Sequence, residues 1–102
     1  MYKITFYVPE KDCERVKEAV FAAGAGRIGH YERCAWQVKG EGQFCPKSGS
    51  HPHIGTHDKL ERVTEYKVEL VCDEHSLPAA IAALKKAHPY EEPAYQVVSF
   101  AV

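Results

Sequence analysis

Hydrophobic periodicity along the chain switches between two residues and about 3.6 residues, and the order of these switches leaves few folds open. Residues 2–8 alternate, with Ile4, Phe6 and Val8 on one face, which is typical of a half-buried strand. A helical stripe follows and stops at Gly24, a residue type that commonly ends helices. The same patterns predict strands at about 31–38, 61–72 and 94–101 and a helix from Ser76, as its N-cap, to His88.

The resulting order, strand–helix–strand–strand–helix–strand, predicts an α+β, ferredoxin-like fold, in which an antiparallel four-stranded sheet carries both helices on one face. The 102 residues are enough for one core, so we expect a single domain over residues 1–102. Four glycines and two prolines interrupt residues 39–60, which predicts a long loop between strands 2 and 3. Connections of this length in a compact domain are often functional.

Charge and composition exclude some classes of function. The formal net charge is −1 and no general basic surface is expected, so we predict no nucleic-acid partner. No apolar run approaches the ~20 residues that span a bilayer, and the first residues do not resemble a signal peptide, so we expect no membrane partner and a cytoplasmic location. The four cysteines form no CxxC pair, and in a reducing compartment free thiols are favoured over disulfides.

Three cysteines and the tryptophan carry specific expectations. Cys34 and Cys72 fall at inward-facing positions of predicted strands and are expected in the core. Trp36 shares the face of Cys34, so it is predicted to pack in the core or at an interface. Cys13, in the first turn of a helix, is either a thiol with a lowered pKa or an ordinary exposed or half-buried one.

The segment 88–93 (HPYEEP) places an imidazole, a phenol and two carboxylates between two prolines. In a functional interpretation, His88 and Glu91 serve as acid and base or bind a metal. In a structural interpretation, His88 ends the helix, the prolines set a turn and Tyr90 packs at a subunit contact. Both alternatives remain open at the level of sequence.

The long loop is rich in side chains that bind transition metals. It carries three histidines in the run 51–57 and a cysteine a few residues before them. These donor types suit zinc, copper or nickel, although the spacing matches no closed zinc motif. The metal-ligand candidates are Cys45, His51, His53 and His57.

Three stretches of the sequence resemble one known protein family. Residues 24–34 read GAGRIGHYERC, residues 40–44 read GEGQF with Gly49, Pro52 and Gly55 beyond them, and residues 88–95 read HPYEEPAY. In this order they resemble the middle insert domain of the Nif-three-like proteins. The HPYE portion is also similar to the CutA family, whose trimers share the ferredoxin-like fold, and PII signalling proteins are a more distant likeness in fold.

The resemblance implies a stand-alone PII/CutA-like domain, because the metal ligands of the Nif-three-like family lie in the halves that flank the insert. It therefore implies neither a dimetal site nor hydrolase activity for these residues. It implies a homotrimer with clefts between subunits and a small-molecule or protein partner. The candidate ligand-binding residues are Arg27, Tyr31, His88, Tyr90, Glu91, Glu92 and Tyr95.

Three hypotheses about function follow. The first is an oligomeric binding or regulatory domain, and the second is a divalent-metal-binding or metal-tolerance protein that uses the loop histidines. The third is a hydrolase-like enzyme, for which the sequence offers no nucleophile, base and orienting residue in a recognisable arrangement. The glycine turn at 24–29 favours none of them, because it follows a helix rather than opening one, as phosphate-binding loops do.

Overall fold

The computed structural model describes all residues from 1 to 102. Four strands and two helices follow in the predicted order, with a short 3₁₀ turn at Glu10–Asp12 before the first helix. The elements are β1 (Tyr2–Pro9), α1 (Cys13–Ala22), β2 (Trp36–Phe44), β3 (Glu61–Cys72), α2 (Leu77–Ala87) and β4 (Tyr95–Ser99). Neither helix is long and apolar enough to cross a membrane.

The sheet has the strand order β2-β3-β1-β4, and every neighbouring pair is antiparallel. This confirms the predicted ferredoxin-like α+β fold. Strand β3 pairs with β1 only from Cys72 to Glu65, but it pairs with β2 as far as Glu61. The β2–β3 hairpin therefore projects beyond β1, and the molecule is elongated, with a longest dimension of 46 Å.

One face of the sheet packs against the two helices and forms the core. The alternation of β1 buries Ile4, Phe6 and Val8 completely, as the sequence pattern predicts. The helices cover these residues because α1 and α2 also have buried apolar positions at helical spacing. Those positions are Val16 and Val20 of α1 and Ala80 and Leu84 of α2.

No helix covers the opposite face of the sheet, which we call the open face. The register places Trp36 beside Glu69 and Val38 beside Lys67, so both apolar side chains lie on this face. Trp36 is 61% exposed, and Val38 and Val98 are also exposed. The predicted packing of Trp36 in the core is therefore wrong, whereas its alternative role at an interface stays a prediction.

Strand β2 differs from the prediction, and Cys34 changes with it. The strand begins at Trp36 rather than Tyr31 and continues through Gly40 and Gly42 to Phe44. Cys34 belongs instead to the preceding turn, where its N–H donates to the Gly26 carbonyl at 2.8 Å. Its thiol is half-buried rather than in the core, whereas Cys72 is buried as predicted.

The ends of the helices refine two further predictions. Gly24 follows α1 with a φ of 108°, as expected for a glycine that ends a helix. The hydroxyl of Ser76 makes no cap, and Asp73 Oδ1 instead accepts the Ser76 N–H at 2.8 Å. Cys13 is 2% exposed and burial raises the pKa of its thiol, so both sequence alternatives for this residue are wrong.

Candidate functional site

The projecting hairpin and the segment after α2 border an open-sided cavity of about 770 Å³. We call it the Tyr90 pocket. Its walls come from three distant parts of the chain, because β1, the β2–β3 hairpin with its loop, and the segment 90–94 meet at one end of the sheet. The lining residues with chemically distinctive side chains are Tyr7, Phe44, His53, Glu65, Tyr90, Glu91 and Glu92, together with Cys45 and Lys47.

His88 holds the segment after α2 in place. Its imidazole is 5% exposed, Nε2 lies 2.7 Å from the Tyr7 carbonyl and Nδ1 lies 3.0 Å from the Tyr90 nitrogen. Because a carbonyl needs a donor and an N–H needs an acceptor, we assign the proton to Nε2 and the lone pair to Nδ1. Both ring nitrogens are therefore used in connecting β1 to Tyr90, so in this arrangement neither is free to bind a ligand.

Burial also fixes the charge of His88. Desolvation lowers the pKa of the imidazole below its ordinary value, and nearby Arg15 acts in the same direction. The Tyr7 hydrogen bond and the Asp12 carboxylate oppose this shift without cancelling it. The ring is accordingly neutral at pH 7, as the hydrogen bond accepted by Nδ1 requires.

Tyr90 and Glu65 form the polar centre of the pocket. The Tyr90 hydroxyl donates to Glu65 Oε2 at 3.2 Å. Burial raises the pKa of the Glu65 carboxyl, and the hydrogen bond from Tyr90 offsets part of this effect. Burial and the neighbouring Glu65 carboxylate also raise the pKa of the Tyr90 phenol. A half-buried carboxylate in a cavity is a common property of functional sites.

Aromatic rings surround Tyr90. The Phe44 ring meets it edge to face with centroids 5.7 Å apart, and the His88 and His53 rings lie at 5.1 and 6.5 Å. Such contacts favour a fixed ring orientation. The rings of His88 and Phe44 therefore both contact Tyr90, whose hydroxyl donates to Glu65.

The long loop is attached to this site at several points. The His51 N–H donates to Glu91 Oε1 at 2.8 Å, which ties the loop to the segment after α2. Within the loop, the Asp58 N–H donates to the Pro46 carbonyl at 2.6 Å, and Lys47 forms an ion pair with Asp58 at 2.7 Å. The loop therefore folds back on itself and forms one wall of the pocket.

The structure divides the seven predicted ligand-binding residues among different places. Tyr90, Glu91 and Glu92 line the pocket, and the buried His88 supports it. Tyr95 pairs with Phe6 and so lies on the helix-covered face of the sheet, where Lys85 stands over its ring. Arg27 and Tyr31 are exposed in the turn after α1, which is hydrogen-bonded to Val71, roughly 20 Å along β3 from Glu65.

The four predicted metal ligands are also separated. Cys45 and His53 line the Tyr90 pocket, whereas His51 and His57 line a neighbouring depression of about 490 Å³. His57 Nε2 lies 2.8 Å from the Ser50 carbonyl. Nowhere in the structure do three or more His, Cys, Asp or Glu side chains come close enough together to hold a metal ion.

Sequence reasoning did not select Tyr7, Phe44 or Glu65. Tyr7 and Glu65 each stand at an outward position of an alternating strand, which looks the same as any solvated position. The available signal was that Tyr7 lies near the end of β1, which antiparallel pairing places beside Glu65 of β3. Phe44 falls within the predicted loop, because Gly40 and Gly42 interrupt the strand pattern of β2.

Comparisons with known proteins agree with this fold. No protein-family model matches the sequence. The chain is 46% identical over 95 residues to a GTP cyclohydrolase 1 type 2 homolog of Mycobacterium tuberculosis, and the match covers 93% of this chain but 25% of that protein. The chain thus spans about a quarter of the length of the curated relatives that it matches.

Solved structures give the same result. A Bacillus cereus protein related to NIF3 aligns with a TM-score of 0.80 at 38% identity, over 94% of this chain and 24% of that one. The periplasmic divalent cation tolerance protein CutA from Archaeoglobus fulgidus aligns with a TM-score of 0.68 at 16% identity, over 98% of this chain and 84% of that one. At such low identity the second match shows the fold alone. Together the comparisons confirm the predicted resemblance to a CutA-like segment of Nif-three-like proteins.

Proposed function

We propose that this chain, whose sequence and fold match a CutA/PII-like segment of the Nif-three-like proteins, is a binding or regulatory domain over residues 1–102 that takes a small ligand in the Tyr90 pocket. The observation that carries the proposal is the pocket itself. Its volume of about 770 Å³ lies within the range of small-molecule sites, roughly 300–1,000 Å³. Its polar centre, Glu65 with Tyr90, remains half-buried although it contributes nothing to the apolar core.

The domain acts as a homotrimer in the cytoplasm. Self-association is supported by the open face, where Trp36, Val38 and Val98 leave apolar surface exposed beside charged residues. The number three follows the resemblance to the CutA family. The cytoplasmic location is supported by the four cysteines, all of which are free thiols.

Native mass spectrometry of the untagged protein, purified at neutral pH, tests both parts of the proposal together. We expect a trimer that carries additional mass from a small organic compound. A monomer at micromolar concentration would contradict the assembly. A trimer without added mass would contradict the small-ligand role and would direct the search towards a protein partner.

A second candidate function is the binding of Zn²⁺, Cu²⁺ or Ni²⁺ by the loop. It is favoured by His51 and His57, which line the same depression, and His53 lies in the adjoining wall of the pocket. The loop would have to rearrange to bind a metal ion, since no three of its donor side chains lie close enough together to hold one.

The double substitution His51→Ala with His53→Ala tests the metal hypothesis. If the loop binds Zn²⁺ tightly, the double variant should lose that binding in isothermal titration calorimetry, because two nitrogen donors are gone. His30→Ala with His75→Ala is the matched control, since it removes two exposed histidines outside the loop. An unchanged affinity in the loop variant would exclude the loop as the site.

A further inference from the structure

The charges around the Tyr90 pocket are predominantly negative. Glu65, Glu91 and Glu92 contribute carboxylates to its lining, and Lys47 contributes the one ammonium group. That ammonium is already paired with Asp58 at 2.7 Å. An anionic ligand such as a nucleotide would therefore meet three carboxylates and no free cation.

Glu65 lacks a positively charged partner. The eight ion pairs of the structure involve other residues, and the Tyr90 hydroxyl is the one hydrogen-bond donor that reaches its carboxylate. Glu69, four residues further along the same strand, shows the contrast, because it pairs with both Lys3 and Lys67. A half-buried carboxylate without a counter-ion is unfavourable, and a bound cation would relieve this cost.

The sequence keeps room for Glu65 at this place. Gly40 is the register partner of Glu65, and a side chain at Gly42, two residues further along β2, would meet the Glu65 carboxyl group, so the glycine leaves room for this side chain. Glutamine has nearly the same shape as glutamate but no charge, so it would fit the same space. The negative charge is therefore not required by the packing of this region.

The remaining walls suit an organic cation. The rings of Tyr7, Phe44 and Tyr90 line the cavity, and the faces of aromatic rings attract ammonium and guanidinium groups. The cavity is far larger than a single metal ion needs, and its acidic side chains do not form a metal cluster. The Glu65 carboxylate and the aromatic rings together favour a ligand in which a positively charged group is attached to an apolar or planar portion.

We propose that the Tyr90 pocket binds an organic cation, with an ammonium or guanidinium group at Glu65 and the rest of the molecule against Phe44 and Tyr90. This inference rests on the proposed function, since it names the chemical class of ligand for the same pocket. The pKa of Glu65, raised by burial, agrees with it, because a bound cation would hold the carboxylate in its charged form.

Three probes of nearly equal shape test the charge preference on the wild-type protein. They are 2-phenylethylamine, 2-phenylethanol and 3-phenylpropionate, titrated at millimolar concentration and neutral pH into ¹⁵N-labelled protein and followed by amide chemical shifts. We expect 2-phenylethylamine to shift the Glu65, Tyr90 and Phe44 amides and to bind at least about tenfold more tightly than the other two.

The substitution Glu65→Gln should weaken binding of 2-phenylethylamine by about tenfold or more, because it removes the charge but keeps the acceptor for Tyr90. Glu69→Gln makes the same change on the same strand outside the pocket and should leave the affinity unchanged. Equal binding of the amine to the Glu65→Gln variant would overturn the inference.

The outcomes separate this inference from the proposed function. If the alcohol or the anion binds the pocket as well as the amine, the pocket is a ligand site but its preference for cations is wrong. If no probe shifts the pocket amides and the purified protein carries no added mass, both the inference and the small-ligand function are wrong. The comparison among probes needs no variant, so it holds even if a substitution impairs folding.

Discussion

Replacing Trp36 with lysine is expected to convert the proposed homotrimer into monomers. Trp36 is 61% exposed on the open face, so a subunit contact there could bury about 120 Å² of further indole surface. At about 25 cal/mol per Å² this contributes roughly 3 kcal/mol to each contact. We therefore expect the apparent dissociation constant to rise about 100-fold, and more if the lysine ammonium loses its hydration in the contact.

The monomer should remain folded, because Trp36 is the exposed first residue of an edge strand. Its free energy of unfolding should change by no more than about 0.5 kcal/mol. Ala82→Lys is the control, since it places the same charge on the exposed side of α2, across the molecule from the open face. Native mass spectrometry over a range of concentrations compares the two variants. A Trp36→Lys variant as trimeric as the control would place the subunit contact elsewhere.

The core elements of the fold could be predicted because one physical signal determines them. In β1 the alternation of Ile4, Phe6 and Val8 with polar residues is complete, and the structure buries all three. Helix α1 was predictable for the same reason, since Val16 and Val20 face the sheet and Gly24 ends the helix. Each of these segments buries apolar side chains on one side only, so the spacing of its apolar residues shows whether it is a strand or a helix.

Strand β2 was harder to predict because it is an edge strand with little to bury. Residues 36–44 are exposed or half-buried throughout, so no hydrophobic period marks them. Glycines at 40 and 42 usually indicate a loop. Here the glycine at position 42 is explained by a tertiary contact, since a side chain at this position would occupy the space of the Glu65 side chain on the paired strand. That constraint exists only once the register between β2 and β3 is known.

Only part of the candidate site could be predicted from the sequence. The segment 88–93 was recognisable because two prolines, an imidazole and acidic residues are adjacent in the chain. Its partners Tyr7, Phe44 and Glu65 come from three strands and are brought to it by the antiparallel pairing. Conversely, Arg27 and Tyr31 share a motif with the family but lie at the other end of β3. Proximity in sequence therefore identified one wall of the pocket, and topology supplies the others.

Replacing His88 with leucine is expected to lower the free energy of unfolding at pH 7.5 by about 2–4 kcal/mol, because two partly buried backbone groups lose their partners. These groups are the Tyr7 carbonyl and the Tyr90 N–H. Leucine fills a similar volume, so the loss reflects hydrogen bonding rather than a cavity. Because His88 also fixes the ring that reaches Glu65, the variant should bind 2-phenylethylamine more weakly. Urea unfolding at fixed protein concentration measures the first effect, and amide shifts measure the second.

The same variant should change how stability depends on pH. The pKa of His88 is lower in the folded protein than its ordinary value of 6.5, so the unfolded chain takes up the proton first. Its contribution to stability is therefore present above about pH 6.5 and is lost as the pH falls towards the folded-state pKa. Leucine cannot be protonated, so the difference between wild type and variant should shrink between pH 7.5 and 5.5.

The exposed His30 supplies the control, because His30→Leu removes a histidine without removing a buried hydrogen bond. This variant should keep both the stability and the acid sensitivity of the wild type. If the His88→Leu variant instead loses stability in parallel with the wild type on acidification, protonation of His88 is not what destabilises the fold.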